Sequence, residues 1–265
     1  MLPGPLLPAP LHPTVRALRA WLGGWLQVVH FAAQILVLAL SVSSYRRAQR
    51  RRILHAVYQA TMPMLPGFTA IAALIALVII RIVLATALSY GLTRYALDVL
   101  VRTLVLELIP LSAALFAALR YAMPAGERIR QMRLRGEFEA LLASGHDPTR
   151  DTVLPRAAAA MFAVVTLAAV SGAVTLLLAY VSVYGFSTWG LGGFTRTVGQ
   201  VFGPVIVLIF CLKTFFLGLA VAIIPMVPTP RETTAGAANA DITRLARLLA
   251  VVLLIEMVSL VGNYY

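Results

Sequence analysis

The feature that most constrains this chain is Ala157 to Phe186, thirty consecutive residues without a charge. A helix crosses a bilayer with roughly 20 apolar residues, and the core helix of a small soluble domain rarely sustains more. Two further runs behave alike. Thr197 to Thr229 holds one charge, Lys213, and Met62 to Ile80 holds none before continuing past Arg81. With 60% of all residues hydrophobic, against about 45–50% in soluble domains, lipid is this chain's main solvent. In lipid every backbone polar group must be paired within its own segment, so apolar runs of this length read as helices.

The expected architecture is an all-α integral membrane protein of about five spans. They lie at 60–90, 97–122, 157–185, 197–228 and 243–263. The first thirteen residues hold five prolines and read as an irregular tail; they lack a basic stretch, so no cleaved signal peptide is expected. From Thr14 a helical pattern begins, with Val15, Leu18, Leu22, Trp25, Leu26 and Val29 on one face and Arg16, Arg19 and Gln27 off it. The apolar stretch that follows, Phe31 to Val42, has only twelve residues and is interrupted by Gln34, which is short for a span. Residues 14–45 therefore read as an interfacial or re-entrant helix, with a sixth span as the alternative. The remaining residues, 46–265, form one membrane domain.

Charge sets the orientation. The net charge is +12, and Lys213 is the only lysine among 22 basic residues. In so apolar a chain this excess points to anionic headgroups rather than nucleic acid. Arginines cluster at Arg46, Arg47, Arg50, Arg51 and Arg52, and again between Gly126 and Arg156. The proposed outer turns carry Arg94 and Arg196. Basic residues accumulate on the cytoplasmic side, so the N-terminus is expected on that side and the C-terminus outside. The segment 124–150 is the one long polar insertion between spans.

Ionisable groups within spans are costly and usually face protein or a wet cavity. Lys213, near the middle of the fourth span, lies too deep to reach water easily; Glu256 lies well into the last span and Glu107 about one turn into the second. Arg81, Arg102 and Arg120 lie nearer helix ends, where long side chains can reach the interface. An interhelical ion pair is one reading of the deep charges; a cavity for a charged lipid headgroup is the other. No nucleotide-binding loop, zinc motif or nucleophile elbow occurs. Cys211 is the single cysteine and the four histidines are scattered. Neither catalytic residues nor a metal site are expected, and Glu107 with Glu256 is too little for a membrane-embedded lipid enzyme.

A family resemblance emerges between Glu107 and Arg156. Glu107, Leu108 and Pro110 match an Arg-Glu-Leu-x-Pro motif in which Leu106 replaces the arginine. Arg120, Met132, the stretch Glu137-Phe138-Glu139-Ala140-Leu141, then Gly145, Asp147-Pro148 and Pro155-Arg156 follow without a gap. Glu127 falls one place earlier than the corresponding acid, and Arg128 takes that acid's place. This run resembles the MlaE/YrbE permeases of MCE-type lipid ABC transporters. Arg51-Arg52, Leu54, Tyr58, Lys213-Thr214, Thr234-Ala235-Gly236 and Glu256 extend the likeness more weakly, to about three quarters of the chain.

The resemblance implies a dimeric permease of the bacterial inner membrane that moves phospholipids or related lipids. It implies a separate ABC ATPase subunit that hydrolyses the ATP, an MCE-domain partner outside, and no cofactor on this chain. It places a lipid cavity at Glu107, Lys213 and Glu256, with Arg81 or Arg102 a candidate for the missing positive charge. It makes residues 124–145 a coupling helix that meets the ATPase through Glu127, Arg128, Arg133, Glu137 and Glu139. A membrane scaffold and a non-lipid ABC permease are the alternatives.

Overall fold

The computed structural model describes residues 13–41, 47–91, 93–228 and 237–264. Residues 1–12 of the Pro-rich tail, Arg46, the Thr234-Ala235-Gly236 linker and Tyr265 lie outside the described residues, and Pro13 opens α1. Among those described there is no strand. The helices in chain order are α1 (Pro13–Leu40), α2 (Arg47–Thr61), α3 (Leu65–Ser89), α4 (Thr93–Leu100) and α5 (Ile109–Ala117). Then come α6 (Met123–Leu134), α7 (Glu137–Ala143), α8 (Leu154–Tyr184), α9 (Leu191–Val201), α10 (Pro204–Ile223) and α11 (Ala237–Tyr264).

Among the described residues six stretches are long and apolar enough to cross a membrane: Trp21–Leu40, Leu65–Ser89, Tyr95–Leu134, Thr149–Tyr184, Pro204–Met226 and Asp241–Asn263. The chain is therefore a multi-pass helical membrane protein. The first stretch is the helix expected to lie in the interface. Its apolar length is greater than the run from Phe31 suggests, because Trp21, Leu22, Trp25, Leu26, Val28 and Val29 extend it across Gln27 and His30. Length alone thus allows α1 to cross. Its amphipathic reading also changes sides. Val28, Phe31 and Ile35 are buried in the bundle, whereas Leu22, Leu26 and Val29 are exposed. In lipid the most apolar stripe faces the solvent, so periodicity marks the lipid side rather than the core.

Other boundaries move for local reasons. Gly203 is extended (φ −59°, ψ 158°), as the residue before a proline prefers. It separates α9 from α10, so the fourth span starts at Pro204 rather than 197. At the other end of the bundle, Gly136 adopts φ +71°, a left-handed conformation that suits glycine. It splits the expected coupling helix into α6, which continues the second span, and α7.

Three π-helical segments interrupt the ladder: Val101–Leu108, Ala118–Ala122 and Thr149–Val153. Each ends two residues before a proline, namely Pro110, Pro124 and Pro155. Proline has no N–H for the carbonyl four residues back, and its ring crowds that carbonyl. Widening the preceding turn relieves the conflict.

The 31-residue α8 is the central post, packed against α2, α3, α5 and α10. Small residues let the helices approach closely. Ala113, Ala114 and Ala117 of α5 and Ala157, Ala160 and Ala163 of α8 are fully or almost fully buried. A Cβ on Gly172 would sit 3.4 Å from Val105, and one on Gly218 would sit 3.2 Å from Met161. The opposite faces, including Leu74, Val78, Leu177, Leu208 and Leu254, are exposed, as a lipid-solvated bundle requires.

Candidate functional site

The π-helical segment Val101–Leu108, α10 and α11 meet at a buried ionic cluster. Lys213 of α10 has a side chain only 1% exposed. Its ammonium donates to Glu107 Oε2, to Glu256 Oε1 at 2.9 Å and to the Leu106 carbonyl at 3.1 Å. Three donors meet three acceptors, which is the full capacity of the group. Asn263, seven residues beyond Glu256 and so on the same face of α11, donates through Nδ2 to Glu107 Oε1 at 2.7 Å. One cation thus faces two carboxylates in an apolar setting, a pairing that repays the cost of burial only through such complete hydrogen bonding.

The backbone contributes because of Pro110. The α-helical donor for the Leu106 carbonyl would be the N–H of residue 110, which proline lacks. Lys213 takes that acceptor instead. Replacing Pro110 with alanine restores a competing donor. The expected result is an amide at position 110 protected from hydrogen exchange in detergent-solubilised protein; rapid exchange there would show that Pro110 does not keep the Leu106 carbonyl free for Lys213.

The cluster is incompletely closed on one side. Among the described residues Glu256 Oε2, Ser259 Oγ and Asn263 Oδ1 are buried without a hydrogen-bond partner. They share one face of α11 by spacing. Ser259 and Lys213 also line a cavity of about 430 Å³ between α10 and α11, whose walls include Phe216, Leu254 and Gly262. The arrangement is an apolar groove that has Lys213 and Ser259 in its lining.

Of the deep charges expected to act together, Glu107, Lys213 and Glu256 converge. Arg81 does not: it is exposed on α3 and in no ion pair with a described residue. An uninterrupted apolar context shows that a charge is costly, but it does not say which side of the helix carries it. Asn263 and Ser259 escaped the sequence reading. Their signal is the spacing from Glu256, of seven and three residues.

The expected coupling residues do not form one surface. Glu127 accepts two bonds from Arg130, at 2.7 and 2.6 Å, and one from Gln131 at 3.0 Å, so its carboxylate is occupied within α6. Arg128 lies on the other flank, beside Tyr121 and Arg156. Arg133 stacks over the Phe138 ring at 5.1 Å, tying α6 to α7. Glu137 is 3.8 Å from Arg135, and Glu139 is exposed. At the base of this segment α6 abuts the short turn Ile224–Met226, where a Cβ on Gly126 would fall 2.1 Å from the Pro225 carbonyl oxygen.

An apolar helical bundle with an interior ionic cluster, a groove beside it and a polar helical projection at one end is that of a polytopic membrane protein. The sequence matches the family model for permease MlaE over residues 53–261. The chain therefore belongs to the MlaE permease family. A comparison with curated proteins gives no match.

Proposed function

We propose that this chain is the membrane subunit of an ABC transporter that moves phospholipids or related lipids between the bacterial inner membrane and an MCE-domain partner. The supporting observation is the apolar groove between α10 and α11 with Lys213 at its floor, in a chain of this family. Acyl chains suit the Phe216 and Leu254 walls. In the described conformation the ammonium is saturated, so a headgroup phosphate reaches Lys213 by displacing a carboxylate. The cluster is then both a tie between three helices and a point at which they release. Two copies enclose the lipid path.

ATP is bound and hydrolysed on a separate ATPase subunit. That subunit meets the projection formed by the end of α6 and α7, where Arg133, Glu137 and Glu139 are partly or fully exposed. This end carries the arginines of α2 as well, which supports a cytoplasmic location and leaves the C-terminus outside. The test reconstitutes the chain with its ATPase in nanodiscs and measures ATP hydrolysis with and without added phospholipid. Hydrolysis stimulated by lipid is expected. A complex that forms but hydrolyses ATP at the same rate whatever the lipid would overturn the substrate reading.

A further inference from the structure

A polar cavity lies where α2 meets α6 and the start of α8. It measures about 400 Å³. Three guanidinium groups line it from three separate helices: Arg52 of α2, Arg128 of α6 and Arg156 of α8. One carboxylate, Asp151, lies among them, 3.6 Å from Arg52. Arg156 donates to the Thr152 carbonyl at 2.9 Å, which orients it without neutralising it. Arg128 and Arg156 are in no ion pair with a described residue, and they lie close enough to repel each other. The Tyr121 hydroxyl stands in the same wall, within the field of both.

Three cations against one anion leave two positive charges converging on a concave site. Nothing in the bundle requires that convergence, since α2 and α8 already pack against one another, and Gln49 of α2 donates to the Arg150 carbonyl, just before α8, at 2.6 Å. Arginine forks match phosphate oxygens in pairs, and a tyrosine hydroxyl adds a donor. We propose that this cavity binds a phosphate group, either in an anionic phospholipid headgroup or in a soluble phosphate compound. The Ala56, Met132 and Pro155 surfaces beside it suit the carbon skeleton attached to that phosphate. The site lies outside the groove assigned to transport, and its occupancy does not depend on which molecule is carried.

The test counts phospholipids retained on the intact chain by native mass spectrometry, from micelles containing phosphatidylglycerol or phosphatidylcholine. One phosphatidylglycerol is expected to be held in preference, and the double variant Arg128→Gln/Arg156→Gln is expected to weaken it about tenfold or more. The neighbouring exposed pair, changed as Arg50→Gln/Arg51→Gln, reads out general surface attraction and should leave affinity within about twofold. Circular dichroism confirms that each variant folds. Displacement of the bound lipid by millimolar inorganic phosphate identifies a soluble ligand; resistance to it identifies the lipid headgroup. Equal loss in both double variants overturns the proposal. So does a chain that binds neither probe, which would assign the cavity to an acidic segment of a partner protein.

Discussion

Lys213→Met is expected to lower the thermal unfolding midpoint of the purified chain sharply, with a cost of about 3–5 kcal/mol. The substitution keeps most of the side chain's volume and removes the cation. Glu107 and Glu256 are then left facing one another in the bundle, and the Leu106 carbonyl loses the donor that Pro110 cannot replace. The penalty comes chiefly from the stranded carboxylates. The triple change Glu107→Gln/Lys213→Met/Glu256→Gln should therefore recover much of the midpoint, because neutral amides can bond to one another and to Asn263. A single variant as stable as the wild type would show that the cluster does not hold the three helices together. Lipid-stimulated ATP hydrolysis should fall in both variants, which separates the structural role from the transport role.

Gly126→Val is the second change with a large expected effect. Any Cβ at this position lies 2.1 Å from the carbonyl oxygen of Pro225, and the obstacle is backbone, which cannot swing aside. The α6 helix must then shift away from the Ile224–Met226 turn. Overpacking in a tight interior costs about 1–3 kcal/mol, and displacement of α6 moves the whole projection through α7. The expected result is a folded chain that still binds lipid but whose partner ATPase hydrolyses ATP without regard to it. Measurement of lipid-stimulated hydrolysis against thermal midpoint checks this. A variant with normal stimulation would show that the contact at Gly126 does not transmit motion.

The membrane architecture was largely legible because lipid imposes a simple rule on composition. Runs such as Ala157–Phe186 have only one structural outcome in that solvent. The α1 helix was harder, because a count of unbroken apolar residues stops at His30, whereas the helix does not. The ionic cluster was legible residue by residue but not as a set. Lys213 and Glu256 are 43 residues apart, and Lys213 and Glu107 are 106 apart. Each stood out as a charge in an apolar run, yet Arg81 stood out equally and lies elsewhere. Facing direction depends on packing, which a single sequence does not display. Asn263 resembled an ordinary polar residue near a helix end. The charges from Glu127 to Glu139 looked like one interaction surface because they are adjacent in sequence. The turn at Gly136 and the pair between Glu127 and Arg130 distribute them over several faces.

The π-helical segments have a consequence for residue counting. A π turn accommodates one residue more than an α turn, so deleting a residue inside such a segment can restore α-helical register. The same deletion elsewhere would rotate everything beyond it by about 100°. Two of these segments, Ala118–Ala122 and Thr149–Val153, bracket the polar projection between α5 and α8. The projection is thus mounted between stretches that can lose a residue with least disturbance to the spans on either side. A single-residue deletion at either place therefore avoids the rotation of about 100° that the same deletion elsewhere would impose on the projection.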